Sequence, residues 1–351
     1  MRQLAGKLVR GVGRVLPLGV YRSLFRRDVV GVFYHSVSDE YLPHVQHLYA
    51  PEPVARFEAA LQYIQRHYHA VSDAEIEAHR VEGKPLPRRA LHLSFDDGFS
   101  ECYSVVRPLL LRYSIPCTFY VTTSWLDNAS MFYRNKTSLC IEQMRTLERD
   151  AAKMVLTSLN NALGLSLSDA ASFERWIKTQ QAAEEGVIDM TAKMLGVDVK
   201  AYLHERAPYL TREQVRQLHA DGFTIGAHTV RHAKLATLSD AEIEQEIVGS
   251  AREVQAITGQ ARVTLSFPYS GNGLRRALLA DIRQRHPWLG LFYDTQDFQR
   301  DVPFIVQRIW AEKAAFRTVG QRTNLPALLH DAYQAELLDA ARRGPGTRDV
   351  G

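Results

Sequence analysis

Short apolar runs rich in β-branched and aromatic residues recur along this chain, each followed by a stretch of helical periodicity. Residues 29–34, 91–95, 117–122, 223–227, 263–267, 289–293 and 304–310 have this character. A strand that is apolar at nearly every position is buried on both faces, as in a parallel sheet covered by helices. Strand and helix alternating over this length predict an α/β fold, either a barrel or a doubly wound sheet. Helix ends are legible too. Thr211 with Gln214 and Ser239 with Glu242 read as capping boxes, and Gly222 and Gly259 stand where helices stop.

One stretch breaks the alternation. Residues 130–209 carry no strand pattern, whereas 141–163, 168–184 and 187–195 read as helices. This predicts a helical insertion in a loop, and such loops often cover active sites. At 351 residues the chain exceeds the usual limit of a single core, roughly 250–300 residues, which fits one large domain carrying an insertion. The expected organisation is a basic N-terminal segment (1–28), an α/β domain (29–129 and 210–320), the insertion (130–209), and a C-terminal helix and tail (321–351). The last ten residues are polar enough to be disordered.

The formal net charge of +4 is unevenly distributed. The first 27 residues hold seven basic side chains and no acid, leaving 36 basic against 39 acidic residues elsewhere. A mildly acidic body argues against nucleic-acid binding, for which a basic face on the folded domain is expected. On a helix, Leu4, Leu8, Val12, Val15 and Leu16 share one side, opposite Arg2, Lys7, Arg10 and Arg14. That arrangement suits peripheral contact of residues 1–27 with an anionic membrane, or a helix packed on the domain with a solvated basic face. Gly6, Gly11 and Gly13 weaken a helix here. Arginines interrupt any signal-peptide core, and no apolar stretch approaches the roughly 18 residues of a membrane span. Cys102, Cys117 and Cys140 are odd in number and lack metal-ligand spacing, so they read as reduced thiols. The expected location is cytoplasmic, with peripheral attachment at the inner membrane face as an extension of the basic segment; a periplasmic location with unpaired thiols ranks second.

Three strand ends carry chemistry. Asp96 and Asp97 close an apolar strand just before Gly98, where a terminal bend can bring two carboxylates to one site. One can ligate a metal while the other takes a proton from water. Alone, the pair equally describes a solvated turn. His228 and His232 follow another strand on a turn or short helix, where spacing by four lets them share a face. Imidazoles so placed suit Zn²⁺ and similar ions, though isolated histidines at this spacing are commonly surface residues. With one aspartate they make a three-ligand, open site of the catalytic kind, since a structural zinc site has four protein ligands. Phe267-Pro-Tyr269 closes a third strand. Its proline restricts the turn and can aim the Tyr269 backbone N–H at an oxyanion, or Tyr269 is simply a packed aromatic.

Taken together, Ser94-Phe-Asp-Asp-Gly98, His228-Thr-Val-Arg-His232 and Phe267-Pro-Tyr269, in this order, resemble the signature of the polysaccharide deacetylase family, also called NodB-homology or carbohydrate esterase family 4. The resemblance covers roughly residues 29–126 and 210–310. It implies a distorted (β/α)₇ barrel, with Asp96 as general base and Asp97, His228 and His232 as ligands of Zn²⁺, or of Co²⁺ or Ni²⁺. It also implies that Tyr269 lends its N–H to the oxyanion and that the substrate is an N-acetylated saccharide. The third motif usually opens with an arginine that orients the base, and here Ser266 stands in that place. Arg308, near the end of the last strand, is a candidate replacement, or else a fold-stabilising arginine. The family's acid histidine usually follows a late strand, yet His330 lies in a helical pattern. His35 instead ends the hydrophobic strand 29–34, resembling relatives acting on poly-β-1,6-N-acetylglucosamine that look circularly permuted. On that likeness His35 is the acid that protonates the leaving amine, or else it is a core histidine satisfied by backbone. His44 and His47, in the next loop, are expected on the surface or in a substrate groove. Two rival readings are a metal-dependent hydrolase of another C–N bond and a non-catalytic carbohydrate-binding homologue.

Overall fold

The computed structural model describes residues 18–24, 27–312 and 324–343. The apolar face proposed for residues 1–16 lies outside these, as do residues 344–351 of the tail. No helix among the described residues is long and apolar enough to cross a membrane.

Eight strands run in parallel: β1 (Val29–Tyr34), β2 (His69–Ala70), β3 (Ala90–Phe95), β4 (Cys117–Val121), β5 (Thr224–Ala227), β6 (Val263–Ser266), β7 (Leu289–Asp294) and β8 (Ile305–Trp310). The spatial order is β1-β8-β7-β6-β5-β4-β3, and β1 also pairs with β3, so seven strands close a barrel. β2, too short to show a pattern in sequence, pairs outside it on β3. β1, β3, β4, β6 and β7 are buried at every position, as strands inside a helix-covered parallel barrel must be. The protein is therefore a distorted (β/α)₇ barrel rather than an open sheet.

Closure places β1, the first strand in sequence, between β3 and the last strand β8. Gly31 lies opposite Arg308 in that register. A Cβ at Gly31 would sit 2.7 Å from Arg308 Cγ and 2.6 Å from the Gln307 carbonyl oxygen. Glycine is what lets the arginine enter the barrel.

Between β4 and β5 there is no strand. Helices Tyr133–Thr146, Arg149–Leu163, Ala170–Ile177, Glu185–Met194 and Val199–Arg206 fill the interval. The pattern at 141–163 predicts one helix, but the chain breaks at Leu147, whose ψ of 138° is extended. Packing the two arms onto one small core, with Ile141, Met144, Leu156 and Leu159 facing each other, overrides local propensity there. A second apolar cluster joins Phe132, Tyr133 and Leu139 to Trp125, Phe99 and Tyr209, and so seats the insertion on the barrel loops. The insertion returns through an antiparallel bridge of Tyr209 with Phe99, beside the Asp96–Asp97 turn. Both sequence-predicted capping boxes are present, and Gly259 ends its helix in the left-handed conformation at φ 72°. The three cysteines are buried free thiols. Helix Leu325–Arg343 packs on Leu18–Leu24, where His330 meets Tyr21 edge-on at 5.2 Å.

Candidate active site

The carboxyl ends of β1, β3, β5, β6 and β8 converge on one buried cluster. Asp96 and Asp97 leave β3 in a turn in which Asp97 itself has φ +74° and Gly98 φ +80°. Thr229, His232 and Tyr269 also adopt positive φ, at 64°, 56° and 60°. Each such non-glycine residue costs on the order of 1 kcal/mol or more, a strain that concentrates where side chains must be aimed. His228 and His232 lie in an irregular loop after β5, not on a helix, so strained backbone rather than helical spacing brings them to one face. Buried Glu246 accepts the Val230 and Arg231 N–H groups, both at 2.9 Å, and pins the loop between the histidines.

His228 Nε2 and His232 Nε2 stand 3.4 and 3.3 Å from Asp97 Oδ1. One ligand atom from each of the three residues lies within 4.8 Å of the others, and all three residues are buried. His228 Nδ1 donates to the Ser266 carbonyl at 2.9 Å, leaving Nε2 with its lone pair toward the cluster. Asp97 Oδ1 is buried without a hydrogen-bond partner. Burial opposes ionisation of Asp97, yet the two imidazoles hold its carboxyl well below the usual range. Burial likewise lowers the His232 pKa, which favours the neutral, ligating form. An orphaned carboxylate oxygen facing two imidazole nitrogens fits a divalent cation of the zinc type.

Asp96 faces the other way. Arg308, fully buried, grips it with Nη1–Oδ1 at 2.7 Å and Nη2–Oδ2 at 2.8 Å. Arg308 Nη1 also donates to Ser94 Oγ at 2.9 Å, and Nη2 donates to Ser266 Oγ. Ser266 Oγ in turn donates to Asp96 Oδ2 at 3.1 Å. The guanidinium sits over Phe33 at 4.4 Å and Tyr120 at 5.1 Å, an aromatic lining that suits a delocalised cation. Burial raises the Asp96 pKa, but Arg308 outweighs it and keeps the group ionised. The small side chain at Ser266 leaves the space that Arg308 occupies.

His35, just past β1, places Nδ1 2.7 Å from Glu312 Oε2. Glu312 also accepts the His35 and Ser36 N–H groups at 3.0 and 3.1 Å, and Trp310 Nε1–H at 2.7 Å. Burial disfavours the imidazolium, but the Glu312 carboxylate more than offsets it and raises the His35 pKa to about 9. Sequence reasoning missed Glu312. The available signal was an acid two positions beyond a strand end, opposite a histidine at the end of the neighbouring strand. His330 is occupied with Tyr21 at the chain ends, as described above.

Tyr269 is exposed at the rim, 4.9 Å from the His232 ring, and its carbonyl accepts from Thr295 Oγ1 at 2.8 Å. No acceptor among the described residues meets its backbone N–H. Trp125 stacks on His232 at 5.4 Å, and Phe132 of the insertion meets the same ring edge-on at 4.7 Å. These aromatics shield His232, which is buried, from bulk water. His44 and His47 do not line an open surface. His44 is buried against Tyr202 (2.9 Å) and its pKa falls to about 3 through desolvation, while His47 pairs with Glu142 at 2.7 Å. They fasten the loop after β1 to the insertion.

The polysaccharide deacetylase family model matches residues 83–157 and 173–284, more than half the chain, and the chain belongs to that family. The match starts just before β3 and stops before β7, so His35, Arg308 and Glu312 lie outside it. A poly-β-1,6-N-acetyl-D-glucosamine N-deacetylase of Escherichia coli is 36% identical over 99 residues, 28% of this chain and only 14% of that protein. Among solved structures, the Streptococcus pyogenes deacetylase PplD in complex with acetate superposes with a TM-score of 0.52 at 15% identity, covering 80% of this chain and 91% of that one. IcaB from Ammonifex degensii gives 0.52 at 15% identity, covering 86% and 97%. The two share this barrel.

Proposed function

We propose that the protein is a metal-dependent hydrolase that removes the acetyl group from an N-acetylhexosamine unit of a saccharide, yielding acetate and a free amine. The observation that carries this reading is the juxtaposition of an orphaned Asp97–His228–His232 cluster with an ionised Asp96 and a protonated His35. The 99-residue likeness to a poly-β-1,6-N-acetyl-D-glucosamine N-deacetylase supports an amino-sugar substrate.

Asp97, His228 and His232 would hold the ion, with zinc favoured by one carboxylate and two imidazoles, and cobalt or nickel as substitutes. Such an ion supplies Lewis-acid polarisation of the acetyl carbonyl and acidifies water. Asp96, fixed by Arg308, accepts the proton of the attacking water as its oxygen bonds to the carbonyl carbon. The Tyr269 backbone N–H donates to the oxyanion. As the C–N bond breaks, His35 gives its proton to the departing nitrogen, and Glu312 stabilises the imidazolium beforehand. Arg308 answers the missing motif arginine at Ser266, so the non-catalytic reading loses its best support.

The test is acetate release from N-acetylglucosamine oligomers before and after chelation, with Zn²⁺, Co²⁺ or Ni²⁺ restored. Activity should vanish on chelation and return with metal. Asp96→Asn should retain metal while turnover falls by about 10²–10⁴; a fully active Asp96→Asn protein would exclude Asp96 as the base.

A further inference from the structure

Arg134 opens the helix Tyr133–Thr146 of the insertion and is exposed at the site's rim. Its Nε donates to the Tyr133 hydroxyl at 2.9 Å, and its guanidinium lies 5.7 Å from the Tyr133 ring and 5.5 Å from the Tyr269 ring. The two phenol oxygens are themselves 3.3 Å apart. Among the described residues no carboxylate lies within ion-pair distance of Arg134. Other cations around the site are engaged: Arg308 by Asp96, Arg231 by Glu246, and Lys136 by Glu185 and Asp189. The helix also starts without a side-chain cap and without an acid in its first turn, so its positive end adds to the same field. Tyr269 links this cation directly to the ligand His232, at 4.9 Å between rings. Two ring contacts thus separate the guanidinium from the cluster. That distance suits a neighbouring group of the substrate, not the acetamide itself.

We propose that Arg134, held over Tyr133 and Tyr269, is a subsite for an anionic group, a phosphate or a carboxylate, carried by the saccharide beside the N-acetyl sugar. The guanidinium fork matches the planar or tetrahedral array of anionic oxygens, and the phenols fix its plane so that little side-chain freedom is lost on binding. The phenol O–H that is not spent on the Tyr133–Tyr269 contact adds one further donor for the anion. This inference rests on the deacetylase reading and narrows its substrate class.

The experiment compares kcat/KM of the zinc-loaded protein on three substrates. They are a neutral N-acetylglucosamine oligomer, an oligomer in which N-acetylglucosamine adjoins a uronic acid, and N-acetylglucosamine bearing a phosphodiester at its anomeric carbon. The wild type should prefer one charged substrate over the neutral one by about tenfold, the size expected of a charge-assisted contact. Arg134→Gln should erase that preference mainly through KM, and Arg134→Lys should restore part of it. Preference for the uronate assigns a carboxylate, and preference for the phosphodiester assigns a phosphate. Equal turnover of neutral and charged saccharides, or a preference that survives in Arg134→Gln, overturns the subsite and leaves the deacetylase reading standing. Absence of acetate from all three overturns that reading and the subsite with it.

Discussion

Asp96 and Asp97 are neighbours in sequence, yet the protein surrounds them in opposite ways. Asp96 is firmly paired: Arg308 holds both oxygens and Ser266 adds a third contact, which leaves one acceptor site of the carboxylate open. Asp97 Oδ1 meets no donor and faces two imidazole nitrogens across 3.3 and 3.4 Å. The same contrast extends outward. Around His35, Glu312 collects four N–H donors, whereas beside Asp97 the His232 Nδ1 is buried without a partner. Protein side chains satisfy the half around Asp96 and His35, while the Asp97–His228–His232 half keeps buried polar atoms without a hydrogen-bond partner. A buried charge without a partner is costly, so the Asp97 carboxylate depends on the two imidazoles beside it, and an ion in the proposed metal site would relieve that cost.

The largest effect should come from breaking the incomplete half. Asp97→Ala or His228→Ala should abolish both metal content and acetate release, measured by elemental analysis and an acetate assay on the same preparation. Retained stoichiometric metal would mean that the ion sits elsewhere. Breaking the paired half should instead show in stability. Arg308→Met leaves the Asp96 carboxylate buried and unpaired, and should cost about 3–5 kcal/mol in denaturant unfolding at neutral pH. A loss under 1 kcal/mol would mean that Asp96 is not held as a buried ion pair. The penalty should shrink as pH falls and Asp96 can be protonated.

The smallest effect sharpens the comparison through His35. Its folded pKa, about 9, exceeds the unfolded value near 6.5, so the His35–Glu312 pair contributes its full stability below the unfolded value. That contribution is lost as pH rises through the folded value. In the metal-free protein an NMR titration of His35 should therefore have its midpoint near 9. Glu312→Gln should bring the midpoint down toward the ordinary histidine range, and in the loaded enzyme it should move the alkaline limb of activity to lower pH. An unchanged midpoint would remove Glu312 as the cause.

The repeated apolar runs, the Asp96–Asp97 turn and the spacing of His228 and His232 are local signals, and local signals survive in one dimension. A strand buried on both faces must be apolar throughout, and a ligand pair at a strand end is written within a few residues. The sequence alone therefore determined the class of fold and the identity of the candidate ligands and base. It left open which arginine would meet Asp96, what would hold His35, and whether His44 and His47 would face substrate. Tertiary structure decided the first two by closing the barrel, which sets the first strand beside the last, while packing of the insertion took up His44 and His47. Arg308 reaches Asp96 only because Gly31 stands opposite it in the β1–β8 register, and Glu312 reaches His35 across the same seam. Such pairs join residues more than 200 positions apart, and no periodicity reports a contact that exists only once the sheet has closed on itself.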